Sequence, residues 1–185
     1  IGFKGASEKA NLSLLEKWKL QPSSYFISVS TIEPRKNFKY LLKVIAPVLK
    51  ERNMKLVLVG REGWGHDEEL KKLISQMKDY LIFTNYVSDE ELISLYHYAY
   101  AFALLSLDEG FGRTPFEAVA CGCKRIILSD IEIFHETFEE NATFLPLDDV
   151  DVARKVLVKN ELKSVSDDFP IPFHVMEERI KELFK

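Results

Sequence analysis

Only two of the 185 residues are cysteine, and they stand as Cys121 and Cys123, too close in sequence to close a useful loop. A disulfide-stapled framework is therefore excluded. The pair has no histidine or cysteine cluster at ligand spacing, so it makes a poor metal site and reads as reduced thiols of a cytosolic protein. A basic excess is also missing: 25 Lys and Arg face 29 Asp and Glu, a net charge of −4. Nucleic acid is a poor partner for such a chain, because few phosphate counterions could be released. No apolar run approaches the length of a membrane span, and no stretch resembles a signal peptide. Internal repeats and low-complexity linkers are absent too. What remains is ordinary for a soluble globular domain: 46% apolar and 29% charged residues, in a chain long enough for one domain with a good core.

Short apolar runs alternate with amphipathic segments, the pattern of a parallel α/β sheet. Strands are predicted over residues 25–30, 55–59, 81–83, 101–105, 125–129 and 142–145. Helices are predicted over residues 8–18, from 38 onward, and over 67–78, 88–99, 115–121, 131–138, 149–162 and 173–185. Phe38, Leu41, Leu42 and Ile45 share a helix face, and Pro47 is expected to kink or end that helix. Ser88 and Glu91 have the spacing of a capping box. The whole reads as a doubly wound, Rossmann-like parallel sheet over residues 25–162. A linker and helix (1–24) precede it and a helical tail (163–185) follows. In such sheets ligands sit beyond the carboxyl ends of the strands, which directs attention to loops 31–37, 60–65, 86–88 and 107–114.

The last of these carries the strongest signal. Asp108-Glu109-Gly110-Phe111-Gly112-Arg113-Thr114-Pro115-Phe116-Glu117 follows a buried strand and opens a helix, with Thr114 at the expected N-cap and Pro115 at the first helical position. Unpaired backbone N–H groups at such a junction suit an anion. Two carboxylates, Glu109 and Glu117, bracket the glycines and could accept hydrogen bonds from hydroxyls. Together these features suit a sugar attached to a phosphate. A purely structural role fits Glu117 equally well, since it would complete a capping box with Thr114. Glu109 has no such role open to it. In Glu33-Pro34-Arg35-Lys36-Asn37, two adjacent cations precede a helix and could neutralise a diphosphate, with Asn37 as N-cap. An isolated dibasic loop is more often a solvated surface pair. The run Gly60-Arg61-Glu62-Gly63-Trp64-Gly65 misses both phosphate-loop fingerprints. His66, His97, His135 and His174 share no metal-ligand spacing.

Taken in chain order, several segments resemble the C-terminal, donor-binding half of the retaining glycosyltransferases of the GT-B fold. They are Glu-Pro-Arg-Lys-Asn at 33–37, Asn-Tyr-Val-Ser-Asp-Glu-Glu-Leu at 85–92, Leu95-Tyr96, Glu-Gly-Phe-Gly at 109–112 and Glu-Ala-Val-Ala-Cys-Gly at 117–122. The likeness is greatest to bacterial mannosyltransferase-like enzymes of surface-glycan assembly, and it covers residues 25–149. It implies that Glu109 is the first glutamate of the family's pair, a catalytic residue beside the donor sugar, and that Glu117 holds the ribose hydroxyls. The backbone of Gly110, Phe111 and Gly112 would face sugar and phosphates, and that of Thr114 and Pro115 the α-phosphate and ribose. Lys36, with Arg35, would bind the diphosphate, while Tyr86 and Val87 would contact the base.

The resemblance further implies a nucleotide-sugar donor, with GDP-mannose favoured, and transfer with retention and no covalent enzyme intermediate. No metal or other cofactor is expected. The acceptor would be a glycan or lipid-linked molecule bound by an N-terminal domain outside these 185 residues, so the isolated domain is expected to bind donor weakly and not turn over. A cytoplasmic location follows, with any membrane association at the inner face supplied by the rest of the protein. Three departures stand out. Ser30 and Thr31 occupy the place of a frequent arginine, Arg113 that of a small or apolar residue, and Lys124 that of a common proline. A noncatalytic glycosyltransferase-like interaction domain and a sugar-nucleotide epimerase are the rival readings.

Overall fold

Apolar runs too short for helices form a six-stranded sheet at the centre of the molecule. The computed structural model describes residues 7–61 and 67–172. The strands are β1 (Tyr25–Val29), β2 (Lys55–Val59), β3 (Leu81–Asn85), β4 (Ala101–Leu104), β5 (Ile126–Ser129) and β6 (Thr143–Leu145). Every recorded pairing is parallel, and the order is β3-β2-β1-β4-β5-β6. The chain winds outward from β1 through β2 to β3, returns to the other side of β1 as β4, and winds outward again. The reversal leaves a crevice between β1 and β4 at their carboxyl ends. The doubly wound sheet expected from the sequence is the sheet observed.

Side chains alternate across each strand, so successive residues feed two separate cores. Phe26, Leu56, Leu58, Ala101, Ala103 and Ile127 pack on one face with α1 (Phe38–Glu51), α2 (Glu68–Met77) and α6 (Val150–Lys159). Ile27, Val57, Val59, Phe102, Leu104 and Leu128 pack on the other with α3 (Asp89–His97), α4 (Arg113–Ala120) and α5 (Glu132–Phe138). Both faces are covered, which is why the strands read as continuous apolar runs instead of alternating ones.

Local signals account for several helix ends. The Ser88–Glu91 capping box forms as expected, and Asp67 caps α2 by accepting from the Leu70 amide. Pro47, by contrast, does not end or break α1, which continues to Glu51. Proline removes the hydrogen bond that the Lys43 carbonyl would have accepted. Arg154 of α6 donates to that carbonyl instead, Nε to O at 3.0 Å. The helix predicted near the amino terminus is a 3-10 helix, Leu12–Trp18, whose Leu15 is buried in the same core as α3. After α6 the chain crosses back over the sheet edge. The Val165 amide donates to the Lys124 carbonyl, and Phe169 stacks on Phe116 and Phe138. The helix predicted over residues 173–185, and Gly63, Trp64, Gly65 and His66, lie outside the described residues.

Candidate functional site

The two loops leaving β1 and β4 are stitched together at the crevice. After β1 a 3-10 turn, Pro34–Lys36, raises two cations, and Asn37 takes a left-handed conformation (φ 49°) to start α1. Asn37 thus stands at the expected N-cap but makes no side-chain capping bond. The Leu107 amide, just beyond β4, donates to the Arg35 carbonyl at 2.8 Å. On the other flank, Gly60 (φ 141°) lets the β2 exit press against β1. A Cβ there would lie 2.1 Å from the Ser30 carbonyl oxygen, contact that no other residue tolerates.

Glu109 is the centre of this arrangement. Its side chain is 7% exposed and Lys36 is 15% exposed, while Arg35 remains open to solvent. Glu109 Oε1 accepts from Lys36 Nζ at 2.5 Å and from Ser106 Oγ at 2.7 Å. Its Oε2 accepts from Arg35 Nη1 at 3.1 Å, and that same nitrogen donates to the Asp108 carbonyl at 2.9 Å. Arg35 Nη2 reaches Glu33 at 2.9 Å. Burial alone would push the Glu109 carboxyl up. The bonds from Lys36 and Ser106, the Lys36 charge and the Arg35 bond outweigh it and hold the group below the usual carboxylate range. The Arg35 guanidinium is shifted up in turn, chiefly by its hydrogen bond to Glu109.

The helix beyond the glycine loop starts earlier than predicted. Gly112, left-handed at φ 74°, is the N-cap of α4, and Arg113 is its first residue. Thr114 therefore lies inside the first turn, and the capping box expected between Thr114 and Glu117 does not form. Gly112 takes the left-handed backbone from which the helix starts, and the Phe134 ring, 2.5 Å from where a Cβ would lie, leaves no room for a side chain there. Pro115 falls in the third helical position, where its missing N–H still costs no helical bond. With the capping role removed, the half-buried Glu117 has the Tyr96 hydroxyl within donating distance at 3.5 Å. Phe111 stacks on Phe116 at 5.2 Å, tying the Gly110–Gly112 loop to α4.

Tyr86 and Val87 stand at the exit of β3, with β2 between them and β1. Tyr86 is 70% exposed, and its ring lies under the Arg61 guanidinium, whose Nε also bonds its hydroxyl. A cavity of about 270 Å³ opens beside Glu109, lined by Leu107, Asp108, Ile131, Glu132, Ile133 and Glu136. Two fully buried serines escaped the sequence reading. Ser106 holds Glu109 directly, and Ser129 at the end of β5 donates to the Ser106 carbonyl at 2.7 Å. Their signal was a small polar residue closing an otherwise apolar strand. Among the described residues, no group of three or more His, Cys, Asp or Glu is placed to hold a metal ion. Cys121 and Cys123 form no disulfide and are buried, and burial pushes the Cys123 thiol up to about 11. Among the departures, Arg113 is exposed, and Lys124 pairs with Asp167 at 2.7 Å.

Two cations and a carboxylate thus stand beside a helix N-terminus at the switch point of a doubly wound sheet, a chemistry compatible with an anionic, hydroxyl-bearing ligand. Residues 15–157 match the family model of glycosyl transferases group 1, and the chain belongs to that family. It is 31% identical over 161 residues to O-antigen chain mannosyltransferase B of Escherichia coli, covering 85% of this chain and 41% of that protein. It is 33% identical over 131 residues to O-antigen chain mannosyltransferase RfbU of Salmonella typhimurium, covering 71% of this chain and 36% of that protein. In fold it is similar to the pneumococcal O-GlcNAc transferase GtfA, solved with UDP and GlcNAc. That match has a TM-score of 0.64 at 20% identity and covers 89% of this chain and 36% of that one. The chain thus spans less than half the length of these relatives.

Proposed function

We propose that this domain binds a nucleotide-diphosphate sugar at the β1–β4 switch point and serves its transfer, with retention, to a glycan or lipid-linked acceptor. The observation that carries the reading is the cluster of Lys36, Arg35 and Glu109, where diphosphate-neutralising cations and a sugar-side carboxylate share one crevice. As the bond between sugar and diphosphate breaks, negative charge grows on the leaving phosphate, and Lys36, Arg35 and the amino end of α4 stabilise it. Glu109, kept ionised, faces the developing positive charge of an oxocarbenium-like sugar. Arg35 takes over the phosphate contact left open by Ser30 and Thr31. Glu117 accepts from the ribose hydroxyls, the backbone of Gly110, Phe111, Gly112, Thr114 and Pro115 lines the sugar and phosphates, and Tyr86 and Val87 contact the base.

GDP-mannose is the favoured donor, by analogy of the Glu-Pro-Arg-Lys-Asn segment and with support from the mannosyltransferase names of two relatives. Surface polysaccharide or lipopolysaccharide synthesis, in the cytoplasm, is the setting, and acceptor binding belongs to a further domain. No metal takes part in this scheme. Calorimetric titration with GDP, UDP, GDP-mannose and UDP-glucose tests the proposal, with Glu117→Ala alongside. One nucleotide should be selected, and the substitution should weaken it by about tenfold or more, the worth of a hydrogen bond to a charged group. A folded protein that binds none of the four would sink the donor-binding reading in favour of an interaction domain, unless a longer form of the protein restores binding.

A further inference from the structure

We propose that Ser106, itself locked by Ser129, is a positioning residue that fixes the orientation of the Glu109 carboxylate, and so controls recognition of the donor's sugar. The inference rests on the donor-site reading above. Four observations carry it. Ser106 and Ser129 are both fully buried and both hydroxyls are satisfied, so neither can turn from its partner without leaving a buried hydroxyl unpaired. Ser106 Oγ donates to the same Oε1 that takes the Lys36 ammonium, so one oxygen is saturated and the carboxylate plane is set. The Ser129 hydroxyl holds the Ser106 carbonyl from the neighbouring strand, so the serine cannot swing with the loop that follows it. Arg35 binds the opposite oxygen but is the more exposed cation, held also by Glu33 and the Asp108 carbonyl, and its solvent-facing side is open to an incoming phosphate.

When a diphosphate draws Arg35 away, and competes for Lys36 as well, Ser106, fully buried behind Glu109, is the contact that stays in place. It keeps Glu109 aimed and favours its charged form at the moment when the cations are shared. The other charges near Glu109 work the opposite way: Asp108 precedes it, Glu132 and Glu136 line the same cavity, and Glu33 reaches it only through Arg35.

The test uses Ser106→Ala, Ser106→Thr and Ser129→Ala, each read in two ways. Carbon-detected NMR titration of the Glu109 carboxyl without ligand should show its midpoint displaced upward in Ser106→Ala. The displacement should be smaller in Ser129→Ala and largely reversed in Ser106→Thr, which keeps the hydroxyl. Calorimetry should show the ratio of GDP-mannose to GDP affinity falling about tenfold in Ser106→Ala while GDP affinity itself is kept, which loss of general stability would not produce. A Ser106→Ala protein whose Glu109 titrates as in the parent overturns the proposal, whatever happens to its melting temperature. Should neither this protein nor a longer form bind any of the nucleotides, the donor-site reading fails, and the titration alone still decides whether Ser106 positions Glu109.

Discussion

Glu109 and Lys36 are 73 positions apart in the chain and within 2.5 Å in the fold, so each compensates a charge that burial would otherwise penalise. The balance has a sign that can be checked. Glu109 is shifted down in the folded protein, so the unfolded chain binds more protons in acid, and stability rises with pH through that range. The contribution is fully present above the ordinary glutamate value of 4.5 and is lost as pH falls below it through the folded value. Urea midpoints measured from about pH 7 down to about pH 3 should fall at the acid end. Glu109→Gln should flatten that fall and cost about 2 kcal/mol at neutral pH, since Lys36 is left largely buried without its counter-charge. An unchanged acid slope in the variant would show that the pair does not couple to folding. The same residue marks how far a sequence reading reaches. Its position before Gly110 and Gly112 singled it out, whereas the bonds from Ser106 and Arg35 that set its charge belong to the folded molecule alone.

At the scale of the element, most strands and helices were legible, and the two that surprised share a cause. Pro47 was expected to kink or end α1; the helix does not end there, and a neighbouring helix supplies the partner that the proline removes. A double-mutant cycle isolates this. Arg154→Ala should destabilise by about 1 kcal/mol, the cost of a carbonyl left without its partner. In a Pro47→Ala background, where the helix can bond its own Lys43 carbonyl, the same substitution should cost much less. Equal costs in the two backgrounds, by urea denaturation, would remove Arg154 from the account. The start of α4 is the second case. Thr114, Pro115 and Glu117 have the spacing of a helix opening at Pro115, yet the cap is the left-handed Gly112, two residues earlier, packed where the Phe134 ring leaves room for no side chain. Glu117 therefore does not form the capping box that its spacing from Thr114 suggested.

For the whole molecule, the strand order places loops 31–37 and 107–114 on either side of one crevice, with the β3 exit further along the same edge. A ligand held there bridges both halves of the sheet and should stabilise the domain as a unit. GDP at about one hundred times its dissociation constant should add about 2.7 kcal/mol and raise the melting temperature by about 5–10 °C. Calorimetric scans with and without GDP check this, and a melting temperature that does not move would argue against occupancy of the crevice by that nucleotide. The tail contributes on the same scale: Phe169 stacks at 6.0 Å on Phe116, which stacks on Phe111, so the glycine loop and the returning chain share one aromatic column.

The sequence by itself determined the alternation of apolar runs with amphipathic segments, hence the parallel sheet covered on both faces. It also determined which loops carry cations, glycines and carboxylates. These properties are local, set by side-chain period and by the backbone preferences of glycine and proline. Only the tertiary structure decided that Lys36 and Arg35 close on Glu109, that Ser129 anchors Ser106, that Arg154 bonds the carbonyl Pro47 leaves unpaired and that the Phe134 ring packs against Gly112 at the start of α4. Each of these joins residues that no periodicity relates. Their distances are fixed by the crossing from β3 back to β4 beside β1 and by the packing of helices over it, and nothing in a local pattern encodes a distance across that crossing.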